Sequence, residues 1–580
     1  PLLFATGINI LLLVRLQSIK TKTIFMARQL LNLSLKKISV IKSMFLIIFL
    51  FSTALGSKVF AQFNPGKIAV LVVGDGTTYA AGTAAPVFVK EFNLSGTGQT
   101  GTVRTSLPVT AVGGTTAVNR ALTQNISAIS EGFLHLSVNR QFLTLTGYNV
   151  NAGTASVSSS SSATFPTNTR VVGKIGADGI ADTRTTLHTF LNSGTRGAVT
   201  VDGTGYWLSL AAGISYVPDA NITNAVVNLN STLVRGIGIF NNQLYTSAAS
   251  GSIRLAQVGS GLPTSTGQTL TNLPGFPTAT TDPYGFVFLN TDAVAGPDVV
   301  YVASSNAAPA GIVKYTSADQ GATWTAKGSL TGFGVGVTAV YNSCTGNADL
   351  YILSSTGANV KPTFLYKYTD IAAATSTLSL AINSGTLLAT AAANTGFGGV
   401  AFTPGSTLNA PAMFTVTGGN GCAITGVNIG LSNSETGVTY QLFNGASPVG
   451  AAITGTGAAI SFGNQTTAGT YTVVATNILT SCIATMSGSS VINALPTVSF
   501  TGLMASYCNN APAVTLTGSP AGGTFSGPGI SGNTFTPATI GAGGPYTITY
   551  SYTAVNGCSN SLSQTVTVNA LPIVSFTGLQ

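Results

Sequence analysis

FVFLNTDAVAGPDVVYVASS, Phe286–Ser305, is the stretch that decides the fold class. An alternating apolar strand runs into a turn of Asn, Asp, Gly and Pro, and a second strand rich in Val and Tyr follows. Period-two alternation interrupted by residues that tolerate positive φ is the pattern of a β-hairpin. The pattern recurs in FLHLSVNRQFLTLTGY from Phe133, AVTVDGTGYWLSL from Ala198, IGIFNNQLYTSA from Ile237 and VTAVYNSCTGNADLYILSS from Val337. Helical periodicity is almost absent between them.

Spacings of roughly forty to sixty-five residues match one four-stranded propeller blade with variable loops. Residues 62–408 therefore read as an all-β, six- or seven-bladed β-propeller. GVAFTP from Gly399 reads as half of a last blade, and KIAVLVVGD (Lys67–Asp75) completes it from the other end of the segment. Such a closure leaves no open sheet edge to invite aggregation. A stack of β-sandwiches is the alternative.

Composition narrows the class of partner. Charged residues are 6% of the 580 and hydrophobic ones 44%, whereas an average soluble protein is roughly 25% charged. Thr, Ser, Gly and Asn supply the polar surface, so the chain reads as globular rather than disordered. The formal net charge of +9 is misleading. Arg15, Lys20, Lys22, Arg28, Lys36, Lys37, Lys42 and Lys58 precede Gln62, and no acidic residue does. Without them 15 basic residues face 14 acidic ones. No basic stripe remains, which excludes nucleic acid and anionic membranes as partners.

The same N-terminal residues carry an address. Arg28, Lys36, Lys37 and Lys42 precede the apolar run MFLIIFLFSTAL (Met44–Leu55), and VFA (Val59–Ala61) offers a cleavage site before Gln62. Residues 26–61 are expected to be a secretory signal peptide. The run is too short for a membrane anchor, which takes about 20 residues, so no membrane span is expected in the mature chain. Residues 1–25 read as sequence upstream of the initiator Met26. The mature protein is expected to be extracellular or on the outer cell surface.

The five cysteines fit an exported protein. Cys422 and Cys482 fall in one C-terminal segment and Cys508 and Cys558 in the next, which predicts one intradomain disulfide in each. Buried free thiols are the alternative, and Cys344 has no partner in its own region. No CxxC or HxxxH spacing exists, and His135 and His188 are the only histidines. Neither a metal site nor a cofactor is expected. Asp178 and Asp182, beside Arg184, are four apart but fit no calcium loop.

SADQGATW, Ser317–Trp324, resembles the Asp-box or BNR repeat, S-x-D-x-G-x-T-W, of propellers such as sialidases and sortilin-like receptors. Ser317, Asp319, Gly321, Thr323 and Trp324 match all five defined positions. The resemblance implies a structural hairpin on the outside of a blade, away from the ligand face. A sialidase-like enzyme would also need an arginine cluster, a tyrosine–glutamate pair and an aspartate acid, and glycoside hydrolysis generally needs two carboxylates across a site. Of the thirteen acidic residues before residue 410, Asp202, Asp319 and most others read as turn residues. No catalytic set is therefore assigned.

Residues 410–493 and 494–569 read as two Ig-like β-sandwiches. In GTYTVVATN (Gly469–Asn477) one face carries Tyr471, Val473 and Ala475, as in a sandwich strand. NALPTVSFTGLM from Asn493 returns as NALPIVSFTGLQ from Asn569, a period of 76 residues. Pro496 and Pro572 mark short stiff hinges. NALP, VSFTG, GTFSGPGI, FTPATIGAGGPYTITY and NGCSNS resemble the Ig-like and PKD-like repeats of large secreted surface proteins of Bacteroidota, of the gliding-motility and type IX secretion kind. Residues 570–580 read as the truncated start of a third such domain, frayed or merely docked.

A propeller without a recognisable catalytic set, joined to spacer repeats, points to a cell-surface binding or adhesion protein. Its head would bind a glycan or protein partner. The alternative is an extracellular polysaccharide hydrolase or lyase, marked by facing carboxylates, or a carboxylate with Arg and Tyr, at the centre of the head.

Overall fold

The computed structural model describes residues 62–580 except 114–115, 159–168, 188–192, 223–224, 249–250, 279–281, 293, 305–309, 359, 576–577 and 579–580. The expected signal peptide, the residues before it and His188 lie outside the described residues. Those described form strands and two single 3-10 turns, Ile382–Ser384 and Pro537–Thr539, with no α-helix. None of their helices is long and apolar enough to cross a membrane.

Residues 62–408 build six four-stranded antiparallel sheets. Sheet 1 runs Gly396–Phe402, Ile68–Val73, Val87–Phe92, Thr102–Ser106. Sheet 2 runs His135–Leu136, Phe142–Tyr148, Arg170–Gly176, Ala181–Leu187. Sheet 3 begins with Thr195–Val199, sheet 4 with Ile237–Phe240, sheet 5 with Pro283–Leu289 and sheet 6 with Gly334–Asn342. Sheets 2 to 6 are simple meanders. Sheet 1 is the exception, because its first strand comes from the far end of the segment: Ile68 pairs with Phe402, Ala69 with Ala401 and Val70 with Val400. This is the pairing expected between KIAVLVVGD and GVAFTP.

Local chemistry explains these strands. Ile68–Val73 is buried at every position, since its two faces pack into different clusters. Ala69, Leu71 and Val73 join Leu143, Leu145 and Val171, while Ile68, Val70 and Val72 join Tyr351, Leu353 and Phe402. In sheet 4 the turn is Asn241–Asn242, both at positive φ (46° and 60°). That is the two-residue hairpin geometry asparagine tolerates.

The first strands of successive sheets are spatial neighbours, and the first strand of sheet 1 neighbours those of sheets 2 and 6. They approach so closely that side chains are excluded at key points. A Cβ on Gly399 would lie 2.5 Å from the Gly132 carbonyl oxygen and 2.2 Å from the Leu134 amide nitrogen. One on Gly236 would lie 2.5 Å from the Tyr284 carbonyl oxygen.

Residues 410–569 form two two-layer β units. In the first, Val416, Ile429, Leu431 and Ile460 of one sheet pack on Tyr440, Leu442, Tyr471, Val473 and Ala475 of the other. The alternation anticipated for Gly469–Asn477 is present, with Tyr471, Val473 and Ala475 buried. In the second, Phe500, Leu516 and Phe535 pack on Phe525, Ile548, Tyr550 and Val566. Residues 570–575 carry no strand and are exposed, Ile573 at 96%.

The disulfides correct the expected pairing. Cys482 bonds to Cys344 and Cys422 to Cys558, with Cα atoms 5.7 and 5.6 Å apart, and Cys508 is free and exposed. Neither bond is intradomain. The reason is placement. Cys482 ends a hairpin tip that docks on sheet 6, where the Asn342 side-chain amide donates to the Thr480 carbonyl at 2.6 Å, two residues from Cys344. Cys422 sits on a strand end that faces the following unit. Leu479 of the same tip enters the core cluster of sheets 1 and 6.

Gly399→Ala is expected to cost roughly 1–3 kcal/mol through overpacking against backbone atoms. Urea unfolding of the full chain checks this, and the midpoint should fall with the slope unchanged.

Candidate functional site

The first strands of the six sheets surround the centre of this region, and their sequence is graded along their length. Just ahead of them, or at their first residues, stand Glu131, Arg196, Arg235 and Asp282. Next come Phe133, Tyr284 and Val335, which pack together. The same strands line a cavity of about 1020 Å³. All six sheets contribute to it, among them His135, Phe240, Phe286, Tyr341 and Phe402, with Leu408–Ala410 of the linker at its rim.

The cavity wall is mostly apolar. His135 borders it, and its Nε2 has no hydrogen-bond partner among the described residues. Desolvation in the channel wall holds its imidazole down at about 4, against 6.5 in water.

The charged end is denser in chemistry. Glu131, 4% exposed, accepts from the Tyr148 hydroxyl at 2.7 Å, and that hydroxyl accepts from the Thr195 amide at 3.1 Å. Burial raises the Glu131 carboxyl, opposed by the Tyr148 hydrogen bond and by the charge of Lys361. Lys361 donates to the carbonyls of Asn125 and Ala128, and burial brings its ammonium down to about 8. A second hollow, of about 300 Å³, opens beside Lys361 between Tyr79, Ser127 and Asn394.

Three arginines complete the cluster. Arg170 lies over the Tyr148 ring, 5.1 Å from its centre, and donates to the Ser193 carbonyl. Arg235 pairs with Asp282 and stacks 4.1 Å over the Tyr284 ring. Arg196 differs. It is 9% exposed, and its Nε and Nη1 find no hydrogen-bond partner among the described residues. Burial, then the neighbouring Arg235 charge, lowers it to about 10. An anionic group is the chemical complement of such donors.

Sequence reading missed this cluster. Glu131 and Asp282 are not turn residues at the surface but buried members of it. The residues are scattered over more than two hundred positions, so spacing could not unite them. One signal was available. EGF, RGA and RGI, at Glu131, Arg196 and Arg235, each place a charge before a glycine at or near the start of an inner strand.

The other predicted residues are structural. Ser317, Asp319, Gly321, Thr323 and Trp324 form the turn between Gly311–Thr316 and Thr325–Thr331, the last two strands of sheet 5. Asp319 accepts from the Thr323 amide (2.7 Å), the Thr323 hydroxyl (2.6 Å) and the Ser317 hydroxyl (2.7 Å), which hold its carboxyl down at about 2. Gly321 has φ +91°, and Trp324 is buried against Phe276 and Phe288. Asp182 pairs with Arg184 at 2.7 Å and Asp178 caps the Ile180 amide, so the two carboxylates do not converge. Among the described residues no group of three His, Cys, Asp or Glu could hold a metal ion.

No family model and no curated protein matches the chain. Solved structures that resemble it include a nidogen/laminin complex, at 12% identity and TM-score 0.30 over 57% of this chain and 97% of that one. Another is PorZ, a bacterial surface component of the type-IX secretion system of Porphyromonas gingivalis, at 10% identity and TM-score 0.27 over 70% and 64%. A third is dipeptidyl peptidase 4 of the same species, at 10% and 0.24 over 62% and 55%. Likeness at this level bears on neither activity nor partner.

The histidine gives a pH dependence. The unfolded chain takes up a proton near 6.5 and the folded one near 4, so His135 makes stability fall as pH drops through that window. His135→Gln is expected to flatten that part of the stability–pH curve, as measured by urea midpoints from pH 7 to pH 4.

Proposed function

We propose that this chain is an exported cell-surface binding protein with a propeller head and an Ig-like spacer. The six sheets are read as the blades of a closed six-bladed β-propeller, and the turn at Ser317–Trp324 as an Asp-box on its outer edge. The pairing of Ile68–Val73 with Gly396–Phe402 and the ring of neighbouring first strands support this reading. The two disulfides fit an oxidising compartment.

The head is proposed to engage an acidic group of an extracellular glycan or protein. The observation that carries this is Arg196, whose buried Nε and Nη1 have no partner among the described residues and lie beside Arg235. A carboxylate accepts a charge-assisted hydrogen bond from such a donor, and the two nitrogens face different sides of the guanidinium.

A second reading rests on the Glu131–Tyr148 pair. A carboxylate bonded to a tyrosine beside three arginines is the marker set out for a polysaccharide hydrolase or lyase. Tyr148 and Arg170 are 0% and 1% exposed and already bonded, which favours binding over turnover.

The test is an array of neutral and acidic glycans probed with the full chain and with Arg196→Gln. Binding confined to acidic glycans and weakened at least tenfold by the substitution is expected. Absence of binding to any acidic polymer would sink the proposal. Depolymerisation of an acidic glycan, lost in Glu131→Gln, would install the second reading.

A further inference from the structure

The two disulfides follow one rule, and Cys508 is the place where that rule is left open. In the first β unit Cys422 lies opposite Asn493 on a parallel strand pair, and the Ala423 amide donates to the Asn493 carbonyl at 3.0 Å. In the second unit Cys508 lies opposite Asn569 on a parallel pair, and the Asn509 amide donates to the Asn569 carbonyl at 2.9 Å. Asn493 and Asn569 each open the repeated NALP segment. Cys422 and Cys508 are therefore the same position of two copies of one unit.

Cys482 and Cys558 are also equivalent, and they are 76 residues apart, the spacing of Asn493 and Asn569. Each closes a hairpin: the Asn477 amide donates to the Cys482 carbonyl at 2.8 Å, and the Ala554 amide to the Cys558 carbonyl at 2.9 Å. Each follows a residue with positive φ, Ser481 at 58° and Gly557 at 83°. Each is 1% exposed and bonds to the module before its own, Cys482 to Cys344 of sheet 6 and Cys558 to Cys422.

We infer that Cys508 is the next rung of a disulfide ladder, and that it bonds to the hairpin cysteine of a further β unit of this same repeat carried in tandem. Its counterpart Cys422 is used in that way, in the same register, within this chain. Cys508 holds the strand-end position, is exposed and is free. The partner is defined by its chemistry: a two-layer unit whose cysteine ends a tight hairpin behind a positive-φ residue. A copy of the second unit fits that description.

The bond forms by oxidation. The Cys508 thiol and the incoming thiol lose two protons and two electrons to a protein or small-molecule disulfide. The oxidant's S–S bond breaks, its two sulfurs leave as thiols, and the new S–S bond joins the modules.

The experiment is a tandem duplication in the full chain, with a second copy of residues 494–569 inserted after Asn569, followed by non-reducing peptide mapping and thiol alkylation. In the parent chain the expected linkages are Cys344–Cys482 and Cys422–Cys558, with Cys508 alkylated. A Cys508–Cys558 linkage there overturns the inference. In the duplicated chain Cys508 is expected to be protected and linked to the inserted copy of Cys558, while the inserted copy of Cys508 becomes the single reactive thiol. Adding Cys508→Ser is expected to expose the inserted hairpin cysteine to alkylation. A bond inside the inserted unit, a Cys508-linked dimer of chains, or continued alkylation of Cys508 each overturns it.

Discussion

One strand pairing carries the rest of the head. Ile68–Val73 and Gly396–Phe402 join residues more than three hundred positions apart. Without that pairing, sheet 1 would lose its innermost strand and the row of first strands would have two open ends. With it, every first strand has a neighbour on either side. The narrowness of the centre then follows, as do the glycines at Gly399 and Gly236, where backbones meet with no room for a Cβ. Such a long-range contact forms late and slowly, because its loop-closure entropy must be met before most of the ring rewards it.

The same constraint explains how a chain with 6% charged residues assembles a dense charged cluster. Glu131, Arg196, Arg235 and Asp282 stand on or just before the first strands of neighbouring sheets, so a charge from one sheet meets those of the next. Isolated, any of these groups would cost several kcal/mol to bury. Together they partly neutralise one another: Glu131 with Tyr148 and Lys361, Asp282 with Arg235. Elsewhere the fold uses the same economy structurally. Lys314, 0% exposed, donates to Asp370 at 2.6 Å, and Asp370 also accepts from Tyr301 at 2.5 Å. That network is complete, whereas the one at Arg196 has two donors unmet.

The strands were legible in the sequence because alternation and turn chemistry are local. Asn241–Asn242 announces its hairpin by itself, and Tyr471, Val473 and Ala475 announce a buried face. Even the closing of sheet 1 could be read, since GVAFTP and KIAVLVVGD are each half of a hairpin that lacks its other half. The charged cluster was not legible. Asp282 looks like any turn aspartate beside a proline, and only the packing of sheet 5 beside sheet 4 makes it the partner of Arg235. The cysteines failed for a related reason. Counting two per segment assumes that a unit bonds to itself, but Cys422 and Cys482 turn toward different neighbours.

That last failure changes the mechanical picture of the stalk. Prolines at Pro496 and Pro572 mark short stiff hinges, about which a unit still keeps some freedom of orientation. The disulfides act against that freedom. Cys422–Cys558 ties the second unit's hairpin to the first unit's strand end, and Cys344–Cys482 ties the first unit to sheet 6. At the head the covalent tie is reinforced: the Asn477 side chain donates to the Thr407 carbonyl at 3.0 Å, and Leu479 is buried in the core of sheets 1 and 6. A module held by its linker alone samples a wide cone of orientations, but one held by a linker and a disulfide has two attachment points and loses most of that cone. The first unit is therefore an extension of the head rather than a bead beside it.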